Sequence, residues 1–330
     1  MTAPAPVSTP PQVLARCRDL VRPALRAAVG RLHPWVGEMA AYSFGWCEVG
    51  GAPVDAPGGK GVRQALAVLG AEAAGAPARR GVPAAVAVEL VHAFSLLHDD
   101  IMDGDPTRRS RPAVWRAYGT GPAVLAGDAL FALAVRTVAD SPGAVRLLSE
   151  ALADLVRGQA DDLLFATRPW TGVSAREYRV MAGHKTGALL GCAVALGAGL
   201  GGAPEPMVGA LDRAGRHLGV AFQLADDVLG IWGDPAVTGK PVHGDLRERK
   251  KTYPVLAALA TPAGPRLAGL LDTPGCAEQA AALIEEAGGR TAALTEARRH
   301  TARAEALLAG LPLASADLRD LLDFLVRRDL

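Results

Sequence analysis

The chain has 330 residues, half of them hydrophobic and 5% aromatic, and its 35 basic and 34 acidic side chains leave a net charge of +1. This length supports one large core or two domains, and near neutrality gives no reason to expect a nucleic-acid or anionic-membrane partner. The four scattered cysteines lack CxxC spacing, which indicates reduced thiols in a cytoplasmic protein rather than a disulfide framework or a zinc site.

The predicted elements are helices almost throughout. The start, MTAPAPVSTPPQ, lacks the basic and apolar regions of a secretory signal, and we expect a disordered Pro-rich segment over residues 1–12. Helical periodicity then continues, without the sustained alternation or hairpin dipeptides of strands. No linker or repeat divides the chain, so we expect one all-α domain over residues 13–330. The predicted helices lie near residues 12–33, 61–76, 83–103, 122–139, 143–167, 174–200, 206–231, 246–260, 276–287, 291–309 and 315–328.

The stretch from Thr186 to Pro204 is uncharged, which raises the alternative that it is a membrane-spanning helix. A spanning helix needs about 20 predominantly apolar residues. This stretch is instead dense in Gly and Ala, which favours a buried helix that packs closely through its small side chains. We therefore expect no stable membrane insertion.

Two aspartate pairs lie inside largely apolar segments. Asp99 and Asp103 occur in HDDIMDGDPTRR, and Asp226 and Asp227 occur in QLADDVLG. In a helix, Asp99 and Asp103 share one face because they are four residues apart. Aspartate pairs are common on solvated helices. Burying carboxylates beside apolar surface, however, costs several kcal/mol of free energy unless they bind a cation. Oxygen ligands of this kind suit Mg²⁺, which leaves sites for water and substrate phosphates.

Cationic residues surround both acidic motifs. Lys60 and Arg63 lie in GGKGVR at a helix start, where backbone amides and cations can approach a phosphate. His92 precedes Asp99 by two helical turns, although a lone histidine of this kind is usually a core residue. Arg108 and Arg109 follow the first acidic motif, where pairing with nearby aspartates is the simpler interpretation. Further cations lie in HKTG, GDPAVTGKPV and RERKKTYP. The set predicts a site for two diphosphates with metal.

The ordered motifs GGKGVR, ELVHAFSLLHDDIMDGDPTRRSRP, LAGDAL, GQADD, HKTG, FQLADDVLG, GDPAVTGK and RKKTYP resemble those of the trans-isoprenyl diphosphate synthase, or polyprenyl synthetase, family. The resemblance implies an all-helical barrel of the isoprenoid synthase type around a deep central cavity, usually in a homodimer. It also implies Mg²⁺-dependent condensation of isopentenyl diphosphate with an allylic diphosphate. No GxSxG or Cys/His signature of a protein nucleophile is present, and this reaction requires none.

The resemblance assigns roles residue by residue. Asp99 and Asp103 would coordinate two Mg²⁺ ions with Asp100 in support, and Asp226 would hold a third ion with Asp227 beside it. The positions that match an isopentenyl diphosphate site are Lys60, Arg63, His92 and Arg109. The positions that match an allylic diphosphate site are Arg108, Lys185, Lys240 and, less directly, Lys250. Thr186 and Gln223 match residues that present oxygen dipoles to the allylic cation.

This sequence departs from the family pattern at a few positions. Gly230 stands where the second motif usually ends in an aspartate, and Gly61, Gln64 and Ser110 replace a frequent Arg, Pro and Gly. A terpene cyclase shares the implied fold, but its usual second metal motif needs an Asn, and this chain has none. A non-catalytic synthase subunit is the other alternative, although the intact first motif disfavours it.

Product length is expected to depend on the helix that carries Asp99. Ser95 lies four residues before Asp99 and is too small to block a growing chain, whereas Phe94 lies five residues before it, about 7.5 Å along the axis. One aromatic residue at the fifth position resembles a geranylgeranyl diphosphate synthase. The resemblance therefore implies a twenty-carbon product, with farnesyl diphosphate or another chain length as the alternative.

Overall fold

The computed structural model describes residues 9–54, 59, 61–234, 242–315 and 317–329. Lys60 and Lys240, two predicted diphosphate ligands, lie outside the described residues, as does most of the predicted N-terminal disordered segment. The prediction of a single domain over residues 13–330 stays a prediction.

The all-α prediction is confirmed. The α-helices are α1 Pro10–Val29, α2 Pro34–Ser43, α3 Val62–Ala73, α4 Val82–Met102, α5 Val114–Tyr118, α6 Thr120–Thr137, α7 Pro142–Thr167, α8 Ala175–Ala182, α9 Ala188–Leu200, α10 Glu205–Trp232, α11 Gly244–Arg247, α12 Tyr253–Leu259, α13 Gly264–Asp272, α14 Ala277–Glu286, α15 Gly289–Ala309 and α16 Asp317–Asp329. Short 3₁₀ turns cover Ala78–Gly81 and Trp170–Gly172, and a π-helical turn, Gly183–Gly187, joins α8 to α9.

Several local features were not predicted from the periodicity. Three helices were missed altogether: α2, which begins at Pro34, α5 and α13. The predicted helix over residues 246–260 is two helices, because Arg249 adopts a left-handed conformation with φ of 59°. A two-stranded antiparallel hairpin, β1 Thr107–Arg108 and β2 Arg111–Pro112, lies in the segment after α4. It was missed because its turn residues are Arg and Ser rather than the Asn-Gly type that marks tight hairpins.

The chain forms two compact units, with boundaries inside α7, α9, α10 and α16 and one just after α15. Unit 1 comprises residues 1–150, 192–212 and 311–321, and unit 2 comprises residues 151–191, 213–310 and 322–330. Unit 1 contains α1 to α6, and its core is lined by fully buried side chains such as Leu66, Leu69, Leu90 and Leu130. In this unit, Gly197 of α9 packs directly on the α3 backbone, since an added Cβ would lie 2.7 Å from the Ala67 carbonyl carbon.

In unit 2, the second half of α10 packs with α8, α12 and α15. Leu224, Val228, Met181 and Tyr253 belong to one buried apolar cluster there. Glycines again permit close approach: an added Cβ on Gly158 of α7 would lie 2.6 Å from the Lys185 Cα in the π-helical turn. These contacts hold α7 and α10 against the segment that carries Lys185 and Thr186.

Two helical stretches are long and apolar enough to cross a membrane by composition alone, Ala78–Met102 and Ala175–Leu200. Their apolar windows are 56% and 72% buried within the structure. Both therefore serve as core helices, as the small-residue composition of Thr186 to Pro204 predicted.

Candidate functional site

The first aspartate pair lies at the C-terminal end of α4. Asp103 is the C-cap and keeps helical dihedrals, with φ of −84° and ψ of −13°, and its N–H donates to the Asp99 carbonyl at 2.8 Å. The helical repeat thus extends through both aspartates and places them on one face, as their spacing predicted. Asp103 is exposed and Asp99 is partly exposed, so both carboxylates are accessible to a ligand.

Asp100, between them in sequence, is only 3% exposed. Its Oδ1 accepts hydrogen bonds from Arg108, whose Nε lies 2.9 Å away and whose Nη2 also donates. Arg108 also pairs with Asp105 at 3.6 Å. Burial of Arg108 disfavours its charge, but Asp100 and Asp105 outweigh this effect and raise its pKa above the ordinary value. Asp100 therefore orients Arg108 beside the acidic face.

The β1–β2 hairpin fixes the neighbouring arginine. Its two turn residues, Arg109 and Ser110, have positive φ angles of 52° and 61°, a conformation that side chains other than Gly and Asn seldom adopt. A Cβ added to Gly59 would stand 2.8 Å from the Arg109 Nη2. The glycine-rich loop before α3 and the arginine pair after α4, 50 residues apart in sequence, are thus in contact.

A second cluster lies about two helical turns before Asp99. The Nη1 of Arg63 donates to the Nε2 of His92 at 3.2 Å. Burial, together with Arg63, Arg109 and Arg108, holds the pKa of His92 well below its ordinary value. The imidazole is therefore neutral, and because its Nε2 accepts from Arg63, its proton is on Nδ1. The charge of Glu89, one turn earlier on α4, is close enough to Arg109 to oppose the effect of burial on that arginine's pKa.

The two predicted chain-length residues lie between these clusters on α4. Phe94 packs against His98, with ring centroids 4.9 Å apart, and against Phe131 of α6 at 5.7 Å. The Ser95 hydroxyl donates to the His92 carbonyl at 2.9 Å, which keeps this small side chain close to its own helix. Phe94 is thus held by neighbouring rings, whereas Ser95 adds little bulk.

The second aspartate pair lies on α10 in unit 2. Asp226 is exposed, whereas Asp227 is only 3% exposed. Asp227 accepts hydrogen bonds from the Tyr178 hydroxyl, from the Tyr253 N–H at 2.9 Å and from the Gln223 amide at 3.2 Å. Burial raises the pKa of Asp227 to about 7, although the three donors act in the opposite direction. The adjacent acids therefore differ: Asp226 lies at the surface, whereas the buried Asp227 anchors the helix.

The structure brings Thr186 and Gln223 together. The Thr186 hydroxyl donates to the Gln223 Oε1 at 2.8 Å, which extends the hydrogen-bond chain from Asp227. Lys185 precedes Thr186 in the π-helical turn, and its Nζ donates to the Asp162 Oδ2 at 2.6 Å. Such turns frequently occur at functional sites. Lys250, the other described lysine of the predicted set, contacts Glu248 at 2.7 Å.

The donor set fits a hard divalent cation that shares its shell with a diphosphate. Among the residues that the structure describes, no three His, Cys, Asp or Glu side chains converge to enclose an ion alone. Mg²⁺ does not need such a cage, because it keeps waters and substrate phosphates as ligands. In unit 2, the Gln159 side chain is 8% exposed, and neither its Oε1 nor its Nε2 has a hydrogen-bond partner. Buried amides are normally satisfied, so Gln159 has a donor and an acceptor to offer a bound polar group.

Sequence reasoning missed Glu89, Tyr178, Asp162 and Asp245. Glu89 carries a recognisable signal, because it is the first charge in the apolar run from Val82 to His98. Asp162 belongs to GQADD, one of the motifs that carry the family resemblance, but the resemblance implied no role for it. Tyr178 and Asp245 have no local signal, since their contacts with Asp227 and Gly230 depend on the tertiary fold.

Comparisons with known proteins identify the family of this chain. The family profile described as polyprenyl synthetase matches residues 53–287. The (2E,6E)-farnesyl diphosphate synthase of Mycobacterium tuberculosis (strain ATCC 25618 / H37Rv) is 46% identical, over 96% of this chain and 92% of that protein. The geranylgeranyl diphosphate synthase of the same strain is 42% identical, over 96% and 93%. The crystal structure of polyprenyl synthetase from Streptomyces coelicolor A3(2) superposes with a TM-score of 0.90 at 48% identity, covering 95% of this chain and 98% of that one.

Proposed function

Because the chain belongs to the polyprenyl synthetase family, we propose that it condenses isopentenyl diphosphate with allylic diphosphates in a Mg²⁺-dependent reaction that ends at geranylgeranyl diphosphate. The protein is a prenyltransferase that elongates prenyl diphosphates. Enzymes of this family use isopentenyl and allylic diphosphates and need a divalent metal to bind the diphosphate. The proposal rests chiefly on α4, which carries the Asp99–Asp103 pair at its end and the His92–Arg63 contact two turns earlier.

The accessible aspartates are the proposed metal ligands. Asp99 and Asp103 would hold two Mg²⁺ ions and Asp226 a third, while the buried Asp100 and Asp227 fix the surrounding residues. Bound Mg²⁺ supplies positive charge to a departing diphosphate. The exposure of Asp226 and Asp103 and the burial of their neighbours support this division of roles.

The cations are assigned to two diphosphates. Arg63, His92 and Arg109, with Lys60, would bind isopentenyl diphosphate, His92 acting as a neutral donor through Nδ1–H. The proposed allylic diphosphate ligands are Arg108, Lys185, Lys240 and Lys250. The contact of Gly59 with Arg109 supports the first group, since it joins the glycine-rich loop to the arginine pair. Charge-assisted contacts of this kind are stronger than neutral hydrogen bonds.

The reaction breaks the allylic C–O bond and forms a C–C bond with the isopentenyl double bond, and the released diphosphate accepts the lost proton. Thr186 and Gln223 would orient oxygen dipoles toward the allylic cation, and their mutual hydrogen bond at 2.8 Å supports a shared function. Oriented dipoles stabilise developing charge without reorganising during the reaction. No side chain needs to act as a nucleophile.

The twenty-carbon product is the finer part of the proposal. The rings around Phe94 limit the available space, while Ser95 leaves room for a chain longer than a single allylic unit. Relatives named for fifteen- and twenty-carbon products are similarly close, so farnesyl diphosphate remains the competing product. We further propose a homodimer in the cytoplasm. The exposed apolar side chains of Val124, Leu125 and Phe131 on α6 support an interface on that helix.

The test is product analysis by mass spectrometry with isopentenyl diphosphate and each allylic primer, for the wild type and for Asp99→Ala and Asp226→Ala. Each variant should lose turnover by several orders of magnitude at saturating Mg²⁺, because each removes a ligand to a charge-stabilising ion. Asp19→Ala, on the exposed side of α1, is the matched control and should be fully active. Retention of more than about a tenth of the wild-type rate by either motif variant would contradict the metal assignment.

A further inference from the structure

The turn of the β1–β2 hairpin has an unfavourable backbone conformation. Arg109 and Ser110 are consecutive, and both have φ angles in the left-handed region that residues other than glycine seldom adopt. Such a conformation costs free energy and persists only where the surrounding structure determines it, most often at functional sites. The two strands have two residues each, so their own pairing gives little support. Contacts from outside the hairpin are therefore needed to hold the turn.

Arg111, the residue that follows the turn and begins β2, makes such contacts. Its Nη1 donates to the Tyr42 carbonyl at 3.2 Å, and its Nη2 donates to the Cys47 carbonyl at 2.8 Å. The same Nη2 lies 3.0 Å from the Glu48 Oε2, and the guanidinium carbon lies 4.2 Å from the centroid of the Tyr42 ring. The Tyr42 hydroxyl donates in return to the Pro112 carbonyl at 2.9 Å. These contacts anchor β2 to the end of α2 and to the segment that follows it.

The segment that receives Arg111, residues 44–54, is named the α2 loop and is itself held in place. The Oε1 of Glu38, on α2, accepts from the Gly50 N–H of the loop at 2.8 Å. The same oxygen accepts from the hydroxyl of Tyr118, the last residue of α5, at 2.9 Å. Arg111 therefore binds a loop that is fixed to two helices.

The α2 loop also leads toward the glycine-rich segment that contacts Arg109. Val54, at the end of the loop, precedes Gly59 by five residues in the chain. Gly59 packs on the Arg109 guanidinium, as the short distance from an added Cβ to the Nη2 shows. Arg111 thus ties the hairpin that carries Arg109 to the loop that precedes the contact partner of Arg109.

We propose that Arg111 is a positioning residue that holds Arg109 in place to bind isopentenyl diphosphate. The inference rests on the proposed function, since Arg109 is one of the ligands assigned to that diphosphate. The partners of Arg111 lie on α2 and the α2 loop, so it acts through the backbone of the turn. Arg108 is held by its own ion pair with Asp100, so the allylic diphosphate should depend less on Arg111.

The test is a double-mutant cycle on the Michaelis constant for isopentenyl diphosphate. Arg111→Met removes the guanidinium and should raise this constant about tenfold, while the constant for the allylic diphosphate should change less than about threefold. Arg109→Met should raise the isopentenyl diphosphate constant at least as much. The double variant should resemble Arg109→Met, because a residue that acts through the Arg109 guanidinium has no further effect once that group is removed.

Two further variants complete the experiment. Arg111→Lys keeps the charge but lacks the planar fork that reaches two carbonyls, so it should raise the isopentenyl diphosphate constant about threefold. It takes the place of Arg111→Met in the cycle if that variant does not fold. The matched control is Arg116→Met, which removes an exposed arginine of α5 and should leave both constants at their wild-type values.

Wild-type Michaelis constants in Arg111→Met and Arg111→Lys would overturn the inference. Independent, multiplicative effects of the two substitutions in the double variant would also overturn it. Equal increases in the constants for both substrates would do the same, since they are expected of a residue that only stabilises the fold. In contrast, an unchanged isopentenyl diphosphate constant in Arg109→Met, or a wild type that forms no product, would contradict the proposed function itself.

Discussion

Replacing Tyr178 with Phe removes one of the three donors to the buried Asp227 while keeping the aromatic ring. The ring packs near Tyr253, with centroids 6.0 Å apart, so the variant preserves the apolar contact. The Tyr253 N–H and the Gln223 amide remain as donors to Asp227. Loss of a hydrogen bond to a charged group costs about 1.5–3 kcal/mol, and loss of one to a neutral group about 0.5–1.5 kcal/mol.

The pH dependence of the free energy of unfolding distinguishes a charged Asp227 acceptor from a neutral one. Burial raises the pKa of Asp227 to about 7, above the value of an unfolded aspartate. The unfolded chain therefore releases this proton first, and the stability of the wild type should fall as pH rises from about 4 to 7 and then level off. Tyr178 itself stays protonated as a donor, because burial and Asp227 raise its pKa well above the ordinary value.

In Tyr178→Phe, the pKa of Asp227 should rise further, since a hydrogen bond that favours the carboxylate is lost. Relative to the wild type, the destabilisation should be small near pH 5.5 and larger by about 1 kcal/mol near pH 8.5. This difference corresponds to an increase in the pKa of Asp227 of somewhat less than about one unit. Urea denaturation followed by circular dichroism at the two pH values measures it. Tyr42→Phe is the matched control, since its buried hydroxyl donates to the neutral Pro112 carbonyl at 2.9 Å. It should show the same destabilisation at both pH values. If Tyr178→Phe lowered the free energy of unfolding by the same amount at both pH values, the Tyr178 hydroxyl would not favour the ionised form of Asp227, and the prediction would be refuted.

Two further predictions concern α4. Ser95→Phe should shorten the product and Phe94→Ala should lengthen it, as determined by mass spectrometry of the products. An unchanged product length in both variants would show that other residues limit the chain. Glu89→Gln should raise the Michaelis constant for isopentenyl diphosphate about tenfold with a smaller effect on the allylic substrate, because Glu89 offsets the repulsion between Arg63 and Arg109. Steady-state kinetics with each substrate varied in turn measure the two Michaelis constants. Equal increases in both constants would show that Glu89 acts only through the overall fold.

The sequence predicted those features that depend on helical periodicity and short spacing. The i,i+4 relation of Asp99 and Asp103 required only that α4 extend to its predicted end, which it does. The hairpin that orients Arg109 was not predictable from turn chemistry, since Arg109 and Ser110 adopt positive φ angles without the residues that favour them. Tyr178 could not be assigned to Asp227 from sequence, because 49 residues separate them and packing alone brings them together.

The π-helical turn at Gly183–Gly187 makes the α8–α9 segment sensitive to a change in its length. A π turn accommodates one residue more than the α-helix on either side of it. Deleting one residue would regularise the hydrogen bonding, but every side chain on one side of the deletion would turn by about 100° relative to the other. Lys185 and Thr186 could not then both keep their contacts with Asp162 and Gln223. The less regular helix is the one that can direct both side chains, so in this segment a regular hydrogen-bond pattern and the present positions of Lys185 and Thr186 exclude each other.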